Sequence, residues 1–459
     1  MTPQRMNLII LVIDTARRDR FGCYGYSRGT TPAIDAFARE SLVFDRMITP
    51  ATWTIPSHAS LFSGLYAREH RADYPTPIMR DDVPTLASHL AQHGYSTAVL
   101  SNNPLIASRT RLANGFQVLK HRRDFMTSSA LRRRMVGLFG RTDKGARAAN
   151  RLFPQLVKTL ARPFFIYMNY MECHWPYRIP TTFENRFVRN RGGVFGRLFD
   201  RSRRSFWDPM DAFVGSSDSR RDLLNNLYDA SLACADDRVG ELLGHLRVLR
   251  LEEDTVVVIT SDHGESMGED GLGGHQGALH QGLIHVPFVV RAPGRTPRRV
   301  GGLFQFTDVF AGLSRLLGLP VLESLAARPF AADLFSDSGN AGRPYAFAQW
   351  TRWGASRLPG LQRRYPRIDF ARFPAVLESV QDARFKLVTA DDNGTHRLYD
   401  LQRDPKETSD CASTVPDEAA RLRDALDQWR VAFSQPGRAD YTVADEAAIE
   451  RRLRSLGYV

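Results

Sequence analysis

The chain has 459 residues, 43% hydrophobic and 24% charged, with a formal net charge of +12. That composition excludes a disordered or fibrous protein and suffices for a large buried core in one or two domains. No apolar run reaches the ~20 residues of a membrane helix, and the four cysteines (Cys23, Cys173, Cys234, Cys411) have neither metal nor disulfide spacing. A cytoplasmic setting, at most peripheral to a membrane, is therefore expected.

The first apolar run, residues 7–13, reads as a strand buried on both faces of a parallel sheet. Asp14 follows at once, where open α/β sheets place their ligand crevice, and so is a candidate metal ligand. A helix is expected over 31–41 and a short strand over 42–44. Residues 51–64 then read as a loop entering a helix, with Pro56 at its first position and Gly64 at its end. Thr54 falls just ahead of that N-terminus, whose free N–H groups favour negative charge, which makes its hydroxyl a candidate nucleophile. The plainer reading is a helix cap. A helix over 84–94 and a strand over 96–100 lead to Asn102 and Asn103, again at a strand's carboxyl end.

Basic residues crowd into 120–123, 132–134 and, further on, 186–204. Such surfaces suit an anionic ester substrate, a glycan or a lipid headgroup, and with no nucleic-acid motif beside them no nucleic acid is expected. The alternative is a solvated insertion. Between the basic stretches, a strand over 163–170 runs into His174. A long helix over 219–249 precedes a strand over 255–260, which ends in Asp262 and His263, an oxygen-and-nitrogen pair suited to a metal. A polar glycine-rich loop then carries His275, His280 and His285 into a strand over 286–291.

Strands alternating with helices predict an α/β fold with a mostly parallel central sheet flanked by helices. Near the C-terminus, strands over 384–388 and 396–400 flank the turn at 391–394, and a helix spans 416–433. This predicts a small antiparallel α+β subdomain. The division is 1–340, with basic insertions at about 120–160 and 184–218, and 341–459. Trp350 and Trp353 either border the substrate cleft or simply pack.

The ordered set of motifs resembles the sulfatase family of the alkaline phosphatase superfamily. The matching pieces are Leu11 to Asp19 with Gly22-Cys23-Tyr24-Gly25, Thr54-Ile55-Pro56-Ser57-His58 with Gly64, and His174-Trp175-Pro176-Tyr177. Thr260 to Glu265, His275 through Pro293-Gly294, and Leu398-Tyr399-Asp400-Leu401 with Asp404-Pro405 complete the set, which covers nearly the whole chain. The resemblance implies a divalent cation bound by Asp14, Asp262, His263 and the Thr54 oxygen. It implies His174 as a group that contacts the transferred anion or protonates the leaving oxygen. It also implies His275 and His280 on the same anion. His58, Asn102 and Asn103 fall at positions where relatives bind it.

The departures are as informative. Sulfatases oxidise a Cys or Ser to formylglycine; here that position is Thr54, whose β-methyl forbids the aldehyde, so no formylglycine is expected. His58 stands for the family's Arg, Thr15 for the second Asp of a pair, and Asn102-Asn103 for a segment that usually carries Lys and His. An unmodified Thr can form a phosphoryl intermediate that water or an alcohol resolves, whereas a threonine sulfate lacks the second hydroxyl that expels sulfate from an aldehyde hydrate. The expected function is thus metal-dependent hydrolysis or transfer of a sulfate or phosphate ester, with phosphoryl transfer mildly favoured. Mn or Zn suits a mixed Asp/His/Thr shell better than Ca or Mg. The alternative is a catalytically weak relative that docks an anionic glycan or lipid surface.

Overall fold

Strand β1, Asn7–Ile13, is buried along its whole length. Its side chains alternate between two cores. Leu8, Ile10 and Val12 join one cluster, and Ile9, Leu11 and Ile13 join the other. A continuous apolar run is what a strand covered on both faces requires. The computed structural model describes residues 5–433 except 75, 122–123, 125–142, 178, 189–207, 215, 336–341, 353–357, 371–372, 374–375 and 391–393. The basic residues of 132–134, most of 186–204, Trp353 and most of the 391–394 turn lie outside the described residues.

β1 sits near the middle of a nine-stranded sheet. The others are β2 (Leu42–Ile48), β3 (Ser96–Ser101), β4 (Val118–His121), β5 (Phe164–Tyr170), β6 (Thr255–Thr260), β7 (His285–Val286), β8 (Phe288–Arg291) and β9 (Arg298–Gln305). Their order is β7-β2-β8-β6-β1-β5-β3-β4, with β9 beside β2. β1 pairs in parallel with β5 and β6, and β3 in parallel with β5 and β4. The stretch expected as one strand over 286–291 is instead two short ones separated by Pro287, which has no N–H for a ladder. Both run antiparallel to their neighbours.

The registers set four strand ends level. Ile13 pairs with Tyr170, Val12 with Thr260, and Ser101 with Asn169. The residues that follow these strands therefore emerge on one edge of the sheet. Helix α1, Thr54–Ser63, lies on one face and contributes Ile55, Ala59, Leu61 and Phe62 to its core. The other face is covered by α2, Ala146–Thr159, and the 31-residue α3, Asp218–Val248. α2 falls inside the stretch read as a basic insertion. Its charge is real, but Ala149, Phe153 and Leu156 recur at helical spacing and are buried.

A second, four-stranded antiparallel sheet follows, of β10 (Ala346–Thr351), β11 (Val376–Gln381), β12 (Phe385–Ala390) and β13 (His396–Asp400). Helix α4, Pro416–Ala432, covers it, with Trp429 stacked on Phe347 at 5.2 Å. Only its last two strands were legible from sequence. β10 also touches the main body: the Gln349 N–H donates to the Pro50 carbonyl at 3.0 Å.

Candidate active site

Asp14, Asp262 and His263 meet at the shared sheet edge, all fully buried, with one ligand atom of each within 4.8 Å of the others. Asp262 Oδ1 accepts the backbone N–H of Thr15 at 3.2 Å and of His263 at 3.0 Å. Thr15 holds a left-handed φ of 58° to present that N–H. Its Oγ1 is buried with no hydrogen-bond partner among the described residues. His263 Nδ1 donates to the Gly264 carbonyl at 2.9 Å, which turns Nε2 toward the carboxylates.

Thr54 stands beside this cluster. It is the first residue of α1, with extended Trp53 as the N-cap, and Pro56 is therefore the third helical residue rather than the first. Pro is tolerated there because the first four N–H groups have no intrahelical partner. Gly64 ends the helix at φ 73°, as the sequence predicts. Ser57 ties α1 to the metal-ligand segment, its Oγ donating to the Asp262 carbonyl at 2.6 Å. Asn103 links the two halves: Nδ2 donates to Asp14 Oδ2 at 2.8 Å and lies 3.4 Å from Thr54 Oγ1.

Three of the sequence-predicted histidines form an array. The rings of His263 and His275 are 4.6 Å apart, and those of His275 and His174 are 5.6 Å apart. His174 Nδ1 donates to the Trp175 carbonyl at 2.6 Å. Glu265, which sequence reading did not single out, orients His275: its Oε1 is 3.1 Å from Nδ1. The signal was there, since Glu265 lies two residues beyond His263 on the same strand exit.

Two further predicted residues border this group. His58 is fully buried, with Nδ1 donating to the Thr54 carbonyl at 2.8 Å and Nε2 accepting from the Tyr167 hydroxyl at 2.6 Å. Nδ1 also lies 3.6 Å from Asp262 Oδ2, so the ring backs the metal-ligand cluster and braces the first turn of α1. His280 stands outside the array, with Nε2 3.4 Å from Asp270 and Nδ1 3.9 Å from Glu407. Trp350 is buried and donates to Gln276 at 3.1 Å, so it packs behind the His275 loop.

The electrostatics ask for a cation. Burial, with the Asp262 charge added, pushes Asp14 up to about 8. Burial likewise raises Asp262 to about 7 and Glu265 to about 8. His263 and His275 fall to about 4 and about 3 for the same reason, and both are neutral at physiological pH. Asp14 Oδ1, Asp262 Oδ2 and His263 Nε2 are buried with no hydrogen-bond partner among the described residues. Three converging lone pairs that nothing satisfies fit a divalent metal.

A hydroxyl at a helix start, beside a cluster built for a cation, defines an ester-cleaving class of α/β protein. The sulfatase family model matches residues 6–319. The chain belongs to the sulfatase family, whose members cleave sulfuric and phosphoric esters. It is 24% identical to human iduronate 2-sulfatase over 367 residues, covering 69% of this chain and 65% of that protein. Choline-sulfatase of Rhizobium meliloti is 23% identical over 455 residues, 90% of this chain and 83% of the other. Among solved structures, the phosphonate monoester hydrolase of Agrobacterium radiobacter superposes with a TM-score of 0.73 at 20% identity, covering 94% of this chain and 96% of the other. Another, solved with its substrate D-glucosamine-2-N,6-O-disulfate, gives 0.70 at 15% identity, covering 94% of this chain and 98% of the other.

Proposed function

We propose that this chain cleaves a sulfate or phosphate ester with unmodified Thr54 as the nucleophile, and that phosphoryl transfer is its preferred chemistry. The observation that carries the reading is Asn103 Nδ2, which reaches both Asp14 Oδ2 and Thr54 Oγ1 and so holds the hydroxyl against the metal-ligand cluster. A divalent cation on Asp14, Asp262 and His263, Mn or Zn by the mixed donor set, would lower the hydroxyl's pKa and neutralise the ester's non-bridging oxygens.

The chain's own groups supply the rest. Thr54 Oγ forms a bond to phosphorus as the bond to the leaving oxygen breaks. The Thr54 hydroxyl proton would leave to solvent as that bond forms, and His174, neutral at rest with its proton on Nδ1, would take a second proton on Nε2 and pass it to the leaving oxygen. Glu265 fixes the tautomer of His275 between them. Water or an acceptor alcohol then takes the phosphoryl group from Thr54. The same threonine is a poor vehicle for sulfate, because it carries no second hydroxyl to expel it.

The names of the relatives support an anionic ester as substrate, with iduronate 2-sulfatase and choline-sulfatase on one side and phosphonate monoester hydrolase on the other. No helix among the described residues is long and apolar enough to cross a membrane. The four cysteines are free. The test is mass spectrometry of the Thr54 peptide. At rest it should show plain threonine, and after rapid quenching from a phosphate ester it should gain one phosphoryl group. Full turnover by Thr54→Ala would contradict the reading.

A further inference from the structure

The residue ahead of Thr54 is anchored by a carboxylate that belongs to neither the metal cluster nor the imidazole array. Trp53 is the extended N-cap of α1, but an indole has no acceptor and cannot take up the helix's free N–H groups. The entry into the helix is fixed sideways instead. Trp53 Nε1 donates to Asp73 Oδ1 at 3.0 Å, and the buried ring stacks on Tyr74 with centroids 4.6 Å apart.

Asp73 is buried on a short hairpin, Ala72–Asp73 paired with Thr76–Pro77. Its carboxylate accepts four bonds from three segments. Besides the indole, Oδ1 takes the Tyr74 backbone N–H at 2.9 Å. Oδ2 takes Gln349 Nε2 at 3.3 Å and the Thr351 hydroxyl at 3.0 Å, both on β10. That fills the acceptor capacity of a carboxylate. The hairpin holds α1 at a second point. His70 Nδ1 accepts the Ala72 N–H at 3.0 Å, and its Nε2 donates to Ser60 Oγ at 3.1 Å, about two turns along the helix from Trp53. β10 in turn grips the chain just before Trp53, through the Pro50 carbonyl and a bridge between Gln349 and Ala51.

An attacking oxygen must be held in line with its target, and a misplacement of about 1 Å can cost ~100-fold in rate. Asn103 reaches the Thr54 hydroxyl itself. Asp73 acts on the backbone that carries that hydroxyl, through the residue covalently next to it.

We propose that Asp73 is a positioning residue for the reaction. Its carboxylate, shared between the Trp53 indole and β10, fixes the step from Trp53 into Thr54 and so couples the C-terminal sheet to the nucleophile. This rests on the reading of Thr54 as nucleophile. The role is one of geometry rather than charge, so Asp73→Asn should preserve it. The amide keeps Oδ1 for the indole and turns its NH2 toward Thr351 and Gln349. Gln349 Oε1, buried with no hydrogen-bond partner among the described residues, accepts it once that side-chain amide turns over.

The test uses the full-length, metal-loaded protein with 4-nitrophenyl phosphate and 4-nitrophenyl sulfate, assayed well below the melting midpoint of each variant. Asp73→Ala should lower kcat by about 10- to 100-fold and change KM less than about 3-fold, with Asp73→Asn within about 3-fold of wild type in both. Trp53→Phe keeps an aromatic ring on Tyr74 and loses the N–H; it should reproduce the fall in kcat. The double variant with Asp73→Ala should lose no more than the worse single, because both break one bond. Hydrogen exchange of tryptophan indoles, followed by NMR, reads the anchor without turnover. The resonance that Trp53→Phe removes should be protected in wild type and Asp73→Asn and exchange faster in Asp73→Ala. An unchanged kcat in Asp73→Ala, additive losses in the double variant, or equal losses for Asp73→Asn and Asp73→Ala would overturn the positioning role. Full turnover by Thr54→Ala, or none by the wild type on either ester, would instead overturn the reading on which the role rests.

Discussion

At the scale of single residues, the site works through what each side chain can no longer do elsewhere. Asn103 has one amide hydrogen-bonded to Asp14 and aimed at Thr54, so Asn103→Ala should release both. The expected loss in kcat/KM is about 10- to 100-fold, the cost of an unmade bond to a charged acceptor. Asn103→Asp should do worse, because it adds a carboxylate beside one already pushed up by burial. Steady-state kinetics of the two variants check the order. His58 makes the opposite kind of prediction. Its ring fills a core of Phe62 and Tyr167 and braces the Thr54 carbonyl. His58→Ala should therefore cost ~2–4 kcal/mol of stability, seen in the denaturation midpoint. Sequence pattern made Asp14, Asp262, His263 and Thr54 legible because each follows a recognisable strand or precedes a helix. It could not show that His58 turns its ring into the core against Tyr167 and Asp262, because spacing alone does not say which way a ring points.

At the scale of elements, the loop bearing His275 and His280 is held by the C-terminal sheet. Lys386 on β12 is fully buried, paired with Glu407 at 2.5 Å and bonded to the Leu279 carbonyl. Glu407 Oε2 in turn accepts the Gln281 N–H at 2.5 Å. Removing one member strands the other's charge, so Glu407→Ala should cost ~3–5 kcal/mol. Pairing it with Lys386→Met should recover part of that cost, and a double-mutant cycle measures the coupling. The strands of the main sheet were legible wherever apolar runs were continuous, as in β1, β5 and β6. β9 was not, because Arg298, Arg299, Gly301 and Gly302 interrupt its run and a register shift follows Val300. β10 and β11 mix apolar with polar side chains on a half-covered sheet, and short alternations of that kind do not stand out from loops. α2 was hidden by its own arginines.

For the whole molecule, the buried acids link stability to pH and to metal. Asp14, Asp262 and Glu265 have folded pKa values of about 8, about 7 and about 8, well above their unfolded values near 4. Without metal, the folded state binds more protons than the unfolded one across that window. The stability these groups contribute is fully present below about pH 4 and is lost as pH rises through about 8. A cation reverses the trend, because it binds the deprotonated carboxylates. The chelated protein should melt lower at about pH 8.5 than at about pH 7, a range above that in which the buried histidines, all lowered by burial, would charge on unfolding, and the rise in melting temperature on adding Mn or Zn should grow with pH. Differential scanning calorimetry with and without chelator measures both.

The measurement that bears most directly on the central claim is metal content followed together with turnover. The purified protein should carry one equivalent of Mn or Zn, and complete chelation should abolish turnover. Readdition of the metal should restore it to the wild type but only partly to Asp262→Asn, with higher ionic strength having no such effect. Wild-type turnover that survives complete chelation would contradict a site organised around a cation on Asp14, Asp262 and His263.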